Sequence, residues 1–116
     1  MPPLPRLVPV LTFLALSACG RPALWGAPNN SHFDCAALIG ATLSLMANGT
    51  LEAEPDFQEK AFNASLAHFN AYSKRPEIDK KEASNAVAAR QMNLIRAELP
   101  HDILRRAKAC VAKTPR

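Results

Sequence analysis

Hydrophobic positions from residue 34 onward recur at the three- and four-residue intervals of an α-helix, in four successive segments. The first segment begins at Asp34, which can cap a helix N-terminus, and stops at Asn48-Gly49, where glycine accepts the left-handed conformation. Its predicted buried face consists of Cys35, Leu38, Ile39, Thr42, Leu45 and Met46. Gly40 and Ala41 carry little or no side chain, so a second helix can approach closely there.

The second segment is predicted to begin at Pro55, because the missing N–H of proline costs little in the first turn of a helix. It carries a stripe of large apolar side chains at helical spacing, formed by Phe57, Phe62, Leu66 and Phe69. Such a stripe is typical of a helix that faces the core, and we expect it to be buried. The alternative is that Phe57, Phe62 and Phe69 form an apolar face that binds an oily ligand.

A third helix is predicted from Asp79, which has the spacing of a capping box with Glu82, towards Leu99. Pro100 ends this helix and can start a fourth. The predicted buried positions are Val87, Met92, Leu94, Ile95 and Leu99 in the third helix, and Ile103, Leu104, Ala107, Cys110 and Val111 in the fourth. The sequence contains no alternating run of β-branched and aromatic residues. These patterns predict an all-α fold, a compact bundle of four short helices.

The N-terminal part of the chain has a different pattern. An apolar run from Leu7 to Ala18 follows a single charge at Arg6. About 12 helical residues rise only about 18 Å, which is short of the ~30 Å hydrocarbon core of a bilayer, so the run is typical of a signal peptide. The sequence therefore predicts a signal peptide at 1–18, a lipid anchor and flexible tether at 19–33, and a helical domain at 34–116.

Leu16-Ser17-Ala18-Cys19 resembles the lipobox of bacterial lipoproteins. The resemblance implies cleavage before Cys19, diacylglycerol on its sulfur, and a place on the periplasmic face of the envelope. Gly20, rather than aspartate, follows the cysteine, and this favours the outer membrane over the inner one. The alternative is an ordinary secretory signal, in which cleavage discards Cys19 and leaves a soluble periplasmic domain.

Export also affects the interpretation of the two remaining cysteines. Because an oxidising compartment favours disulfides, Cys35 and Cys110 are predicted to be bonded to each other. This bond would require the first and last helices to pack side by side. The alternative is that both are thiols buried for structural reasons.

Charge changes this picture only slightly. The chain has a net charge of +4, and residues 1–18 contribute one cation, Arg6. Positive residues gather late in the chain, at Arg105, Arg106, Lys108 and Lys113. They can oppose the negative end of the last helix dipole, or they can contact an anionic surface such as lipid headgroups. An exported protein has no access to nucleic acid, so we expect no nucleic-acid partner.

Candidate chemistry is sparse. His32, His68 and His101 are not spaced as metal ligands on one helix, and we expect them to be solvated or at helix ends. The chain has no nucleotide-binding loop and no nucleophile motif. We therefore expect no cofactor, no metal and no enzymatic activity.

These observations predict a non-enzymatic, lipid-anchored envelope protein whose helical domain binds another envelope protein. The chain also loosely resembles the periplasmic acid-stress chaperones, through Cys35, Cys110 and the helical pattern between them. That resemblance implies the alternative, a periplasmic chaperone-like or apolar-ligand-binding module. The segment DCAALIGATLSLM is similar to small proteobacterial envelope proteins, and this second resemblance implies no function.

Overall fold

The computed structural model describes residues 31–115. This part of the chain contains no strand and four α-helices, which are α1 (Ser31–Ala47), α2 (Pro55–Ser73), α3 (Lys80–Ala97) and α4 (Pro100–Ala112). The prediction of an all-α four-helix domain is confirmed. The predicted signal peptide, Cys19 and most of the predicted tether lie outside the described residues. No helix between residues 31 and 115 is long and apolar enough to cross a membrane.

Helix α1 contacts each of the other three helices, and buried side chains occur on nearly every side of it. The predicted face is buried, and it is extended by Ala36, Ala37 and Ala41. A helix that is apolar all round is stable only when other helices surround it, which explains its position. It begins at Ser31, three residues earlier than predicted. Asp34 is therefore in its first turn rather than at its cap, with Oδ1 3.6 Å from Nε of Arg90 on α3.

Gly40 admits a side chain of α3 against the backbone of α1. A methyl group added at Gly40 would lie 2.0 Å from Nε2 of Gln91 and 2.6 Å from its Cδ. The predicted close approach at Gly40 is therefore confirmed, and its neighbour is the amide end of Gln91.

The predicted helix boundaries are confirmed at three places. Gly49, with φ of 86°, follows α1, and the N–H of Leu51 then donates to the carbonyl oxygen of Leu45 across 3.0 Å. Helix α2 begins at Pro55. Oδ2 of Asp79 accepts the N–H of Glu82 at the start of α3, across 3.1 Å.

The prediction for the end of α3 is wrong at two positions. Leu99 is 69 % exposed, because it has extended backbone before Pro100 and caps α4 instead of continuing α3. Met92 is 51 % exposed. It precedes the buried Leu94 by two residues, or about 200° around the helix, and therefore lies on the opposite side.

A disulfide joins the residue just after the first turn of α1 to the last turn of α4. Cys35 and Cys110 have Sγ atoms 2.04 Å apart and Cα atoms 5.3 Å apart, at a sequence separation of 75. The predicted pairing is confirmed, and so is the packing of the first helix beside the last. Both half-cystines are buried, and Ile103 and Ala107 continue the buried face of α4 towards its start.

Candidate functional site

The large apolar side chains of α2 do not share one environment. Phe57 and Phe69 are partly buried and pack against the core, whereas Phe62 is 57 % exposed and Leu66 is 48 % exposed. The expectation that the whole stripe is buried is therefore wrong for Phe62 and Leu66.

The face that α2 does bury is formed by smaller residues. Ala61, Ala64 and His68 recur at intervals of three and four and are all buried. Phe62 is about 100° around the helix from Ala61, so it cannot share this face. Alanine side chains let two helices approach closely, and α2 makes its most extensive contact with the alanine-rich α1.

The exposed apolar surface of α2 is therefore smaller than the predicted one and differently placed. Phe57 is separate from it, because it precedes Phe62 by five residues, or about 140° around the helix. The Nζ of Lys108 lies over the Phe57 ring at 5.5 Å from its centroid. Phe62, Leu66 and Phe69 follow one another at intervals of four and three residues and lie on one side of the helix. We call these three residues the α2 patch. The exposed polar residues Glu59 and Asn63 lie along one edge of it.

Three of the four late cations have carboxylate partners within the domain. The ion pairs are Arg105–Asp102 at 3.0 Å, Lys108–Glu54 at 3.2 Å, and Arg106–Glu98. The Lys108–Glu54 pair joins α4 to the residue that precedes α2. These pairs neutralise much of the charge that the sequence offers to an anionic surface, and contact with such a surface stays a prediction.

Two histidines, His32 and His68, lie where α1, α2 and α4 meet, although the sequence predicts solvated or helix-end positions for them. His68 is 1 % exposed, and its Nε2 lies 2.9 Å from the carbonyl oxygen of Cys110. Its Nδ1 lies 3.0 Å from Nδ1 of His32 in the first turn of α1. The expectation of a solvated or helix-end residue is thus wrong for His68, while His101 is exposed at the start of α4.

The hydrogen-bond partners assign the protons of the neutral pair. A carbonyl oxygen only accepts, so Nε2 of His68 carries a hydrogen and donates it to Cys110. In neutral His68 the other nitrogen, Nδ1, is then an acceptor, and His32 must donate to it from its own Nδ1. His68 therefore ties α2 to both α4 and α1.

Burial lowers the pKa of His68 below 6.5, the value of a solvated histidine. The hydrogen bond to Cys110 opposes this effect, and the nearby His32 and Lys113 lower the pKa further. The folded domain therefore favours neutral His68.

The histidine pair has the geometry of a hydrogen bond rather than of a metal chelate. The ring centroids are 5.2 Å apart, nearly the sum of the 3.0 Å contact and the two ring radii. The two Nδ1 atoms therefore point straight at each other, whereas metal ligands must converge on a third point. Residues 31–115 contain no group of three or more histidine, cysteine or acidic residues that could hold a metal ion.

The sequence contains a sign that His68 is buried, because His68 is in register with Ala61 and Ala64. The larger phenylalanines on another side of α2 give a stronger prediction of burial, because large apolar side chains are usually in the core. His32 and His68 are 36 residues apart, and no local pattern connects them.

No protein-family model, curated protein or solved structure matches this chain. A functional interpretation therefore rests on the chain's own residues, above all on the α2 patch and the histidine pair.

Proposed function

We propose that this protein is a non-enzymatic, lipid-anchored component of the bacterial envelope whose helical domain binds another envelope protein through the α2 patch. The observation that carries the proposal is the exposure of Phe62 and Leu66, two large apolar side chains one helical turn apart. The lipobox-like Leu16-Ser17-Ala18-Cys19 supports the anchor.

The chemistry of the patch indicates what the partner must present. An exposed phenylalanine beside an exposed leucine suits an apolar pocket or the apolar side of a helix. Phe62 alone presents on the order of 100 Å². This area is small for a permanent assembly, so the proposed interaction is reversible and depends on these two side chains.

Site-specific photocrosslinking in the host envelope tests this proposal. Benzoylphenylalanine replaces Leu66 in one variant and Met92 in a control variant, because Met92 is equally exposed but lies on α3. We expect a discrete adduct with a second envelope protein from position 66 only, and loss of that adduct when Phe62→Asp is added. No adduct at position 66, the same adduct from both positions, or an adduct with a second copy of the chain would contradict the proposal.

A second candidate, the chaperone-like module, is favoured by the buried His68. A buried histidine without an acidic partner destabilises the folded domain when it becomes charged. A domain of this kind would loosen in acid and expose apolar surface. Suppression of the aggregation of an unfolded client protein separates the two functions. A chaperone-like module suppresses aggregation at pH 5 and not at pH 7.5, whereas the proposed binding protein suppresses it at neither pH.

A further inference from the structure

The histidine pair connects the start of α1 to the rest of the domain just before the disulfide. His32 is in the first turn of α1, and Cys35 follows three residues later. Between them, Phe33 packs against Tyr72 of α2 with ring centroids 5.2 Å apart. The first turn therefore reaches α2 through two side-chain contacts, and the covalent bond to α4 begins only after them.

The hydrogen bond between the two histidines persists when the pair gains one proton, but it cannot form when the pair gains two. If His32 gains a proton, its Nδ1 still donates to His68. If His68 gains it, neutral His32 can change tautomer and accept at Nδ1. When both imidazoles are charged, both Nδ1 atoms carry hydrogens, and two donors of like charge would face each other across 3.0 Å.

The surroundings do not compensate the second charge. The charged and titratable groups that face His68 are His32 from α1 and Lys113, which caps the end of α4. Cys110 offers only its carbonyl oxygen, because its sulfur is in the disulfide. Within residues 31–115, neither histidine of the pair forms an ion pair with a carboxylate. A doubly protonated pair is therefore repelled within itself and by Lys113, and of the groups named here only the carbonyl oxygen of Cys110 attracts it.

We propose that His32 and His68 form an acid-sensitive latch, which holds the first turn of α1 on α2 and opens when both imidazoles are protonated. The opening is limited in extent. The Cys35–Cys110 bond keeps α1 attached to α4 and the Asp34–Arg90 ion pair keeps it attached to α3, so the released segment is residues 31–33. Phe33 leaves Tyr72 in the same step, because it is part of the released turn.

Nuclear magnetic resonance on the exported, processed protein with its disulfide intact tests the latch. Tyr72 is the single tyrosine of the chain, so a cross-peak between its ring and that of Phe33 reports directly on the first turn. The ring nitrogen shifts of His32 and His68 report their protonation in the same sample. The methyl signals of Leu94 and Ile103 report the core, in which both residues are fully buried.

Two matched variants distinguish the latch from a general effect of acid. In His32→Asn, the side-chain amide nitrogen stands in for Nδ1 and donates to His68 without titrating. In His101→Asn, an exposed histidine outside the pair is replaced in the same way.

The sample is acidified until the ring nitrogen shifts show that both imidazoles are charged. We expect the wild type and His101→Asn to lose the Phe33–Tyr72 cross-peak at that pH while the core methyl signals stay unchanged. His32→Asn should keep the cross-peak at the same pH. Three results would overturn the latch: persistence of the wild-type cross-peak once both rings are charged, its equal loss in His32→Asn, or its loss only together with the core signals.

Discussion

His68 donates from Nε2 to the backbone oxygen of Cys110 across 2.9 Å, which places a buried neutral imidazole beside the disulfide. The same imidazole accepts from His32 through its other nitrogen. One side chain of α2 thus satisfies polar groups from the first and the last helix of the domain. Nε2 of His68 must carry a hydrogen to donate to Cys110, and in the neutral pair its Nδ1 must carry none to accept from His32. The arrangement therefore depends on pH.

The free energy of unfolding is expected to fall as the pH drops below neutrality. Burial lowers the pKa of His68 in the folded state, so between that lowered pKa and 6.5 the unfolded chain binds more protons than the folded one. The stability contributed by neutral His68 is complete above pH 6.5 and declines as the pH falls through this window. Urea unfolding at pH 7.5 and at pH 5 measures the decline.

His68→Gln is the informative variant for this prediction. Its amide can still donate to Cys110 but does not titrate, so the loss of stability between the two pH values should become smaller. His101→Gln, at an exposed position, should leave that loss as it is in the wild type. An unchanged pH dependence in His68→Gln would show that the destabilisation in acid comes from other groups.

Removing the disulfide should destabilise the domain without unfolding its helices. The bond closes a loop across a sequence separation of 75, and its main effect is to restrict the unfolded chain. In Cys35→Ala/Cys110→Ala, we expect the free energy of unfolding to fall by about 2–4 kcal/mol with nearly the same circular dichroism. A reductant should destabilise the wild type in urea and leave the double variant unaffected. Recovery of the two cysteines as separately alkylated peptides from the exported protein would contradict the crosslink itself.

Gly40 and Gln91 should show coupled effects on stability. Alanine in the interior of a helix is about 1 kcal/mol better than glycine, but a methyl group at position 40 displaces the Gln91 amide. We therefore expect Gly40→Ala to gain less in the wild type than in a Gln91→Ala background, where the gain should approach about 1 kcal/mol. Urea unfolding of the four proteins measures the coupling. Equal gains in both backgrounds would mean that the two residues do not compete for this space.

Truncation of Phe62 should cost far less stability than truncation of Ile39. Ile39 is fully buried in α1, and Ile39→Ala should lower the free energy of unfolding by about 2–5 kcal/mol. Phe62 is more than half exposed, so Phe62→Ala should cost less than about 1 kcal/mol. Thermal unfolding of both variants makes the comparison. A large loss in Phe62→Ala would indicate that this side of α2 is covered in the folded protein.

Cys19 is expected to carry lipid. The motivation is the sequence Leu16-Ser17-Ala18-Cys19 after a short apolar run. Metabolic labelling with a fatty-acid probe should mark the wild type and should not mark Cys19→Ser. Labelling of both to the same degree would contradict the anchor without bearing on the α2 patch.

Much of the fold could be predicted because it depends on local chemistry. Pro55 and Pro100 fit the first turn of a helix but not its interior, Gly49 tolerates the positive φ that ends one, and Asp79 supplies a cap to the next. Each of these effects acts within a few residues and is therefore visible in the sequence. The pairing of the two cysteines could be predicted as well, because the predicted signal and anchor account for Cys19 and both remaining cysteines lie on apolar helix faces.

The burial of α2 and the histidine pair were decided by the tertiary structure. Helical periodicity shows which residues share a side of α2, but the side that is buried depends on the shape of its neighbour. Against the alanine-rich α1, the small side chains of Ala61 and Ala64 allow close packing, and the bulky Phe62 is left outside. His32 and His68 come into contact only because α1 and α2 pack together. The two residues are 36 positions apart, so no local sequence pattern could predict their hydrogen bond.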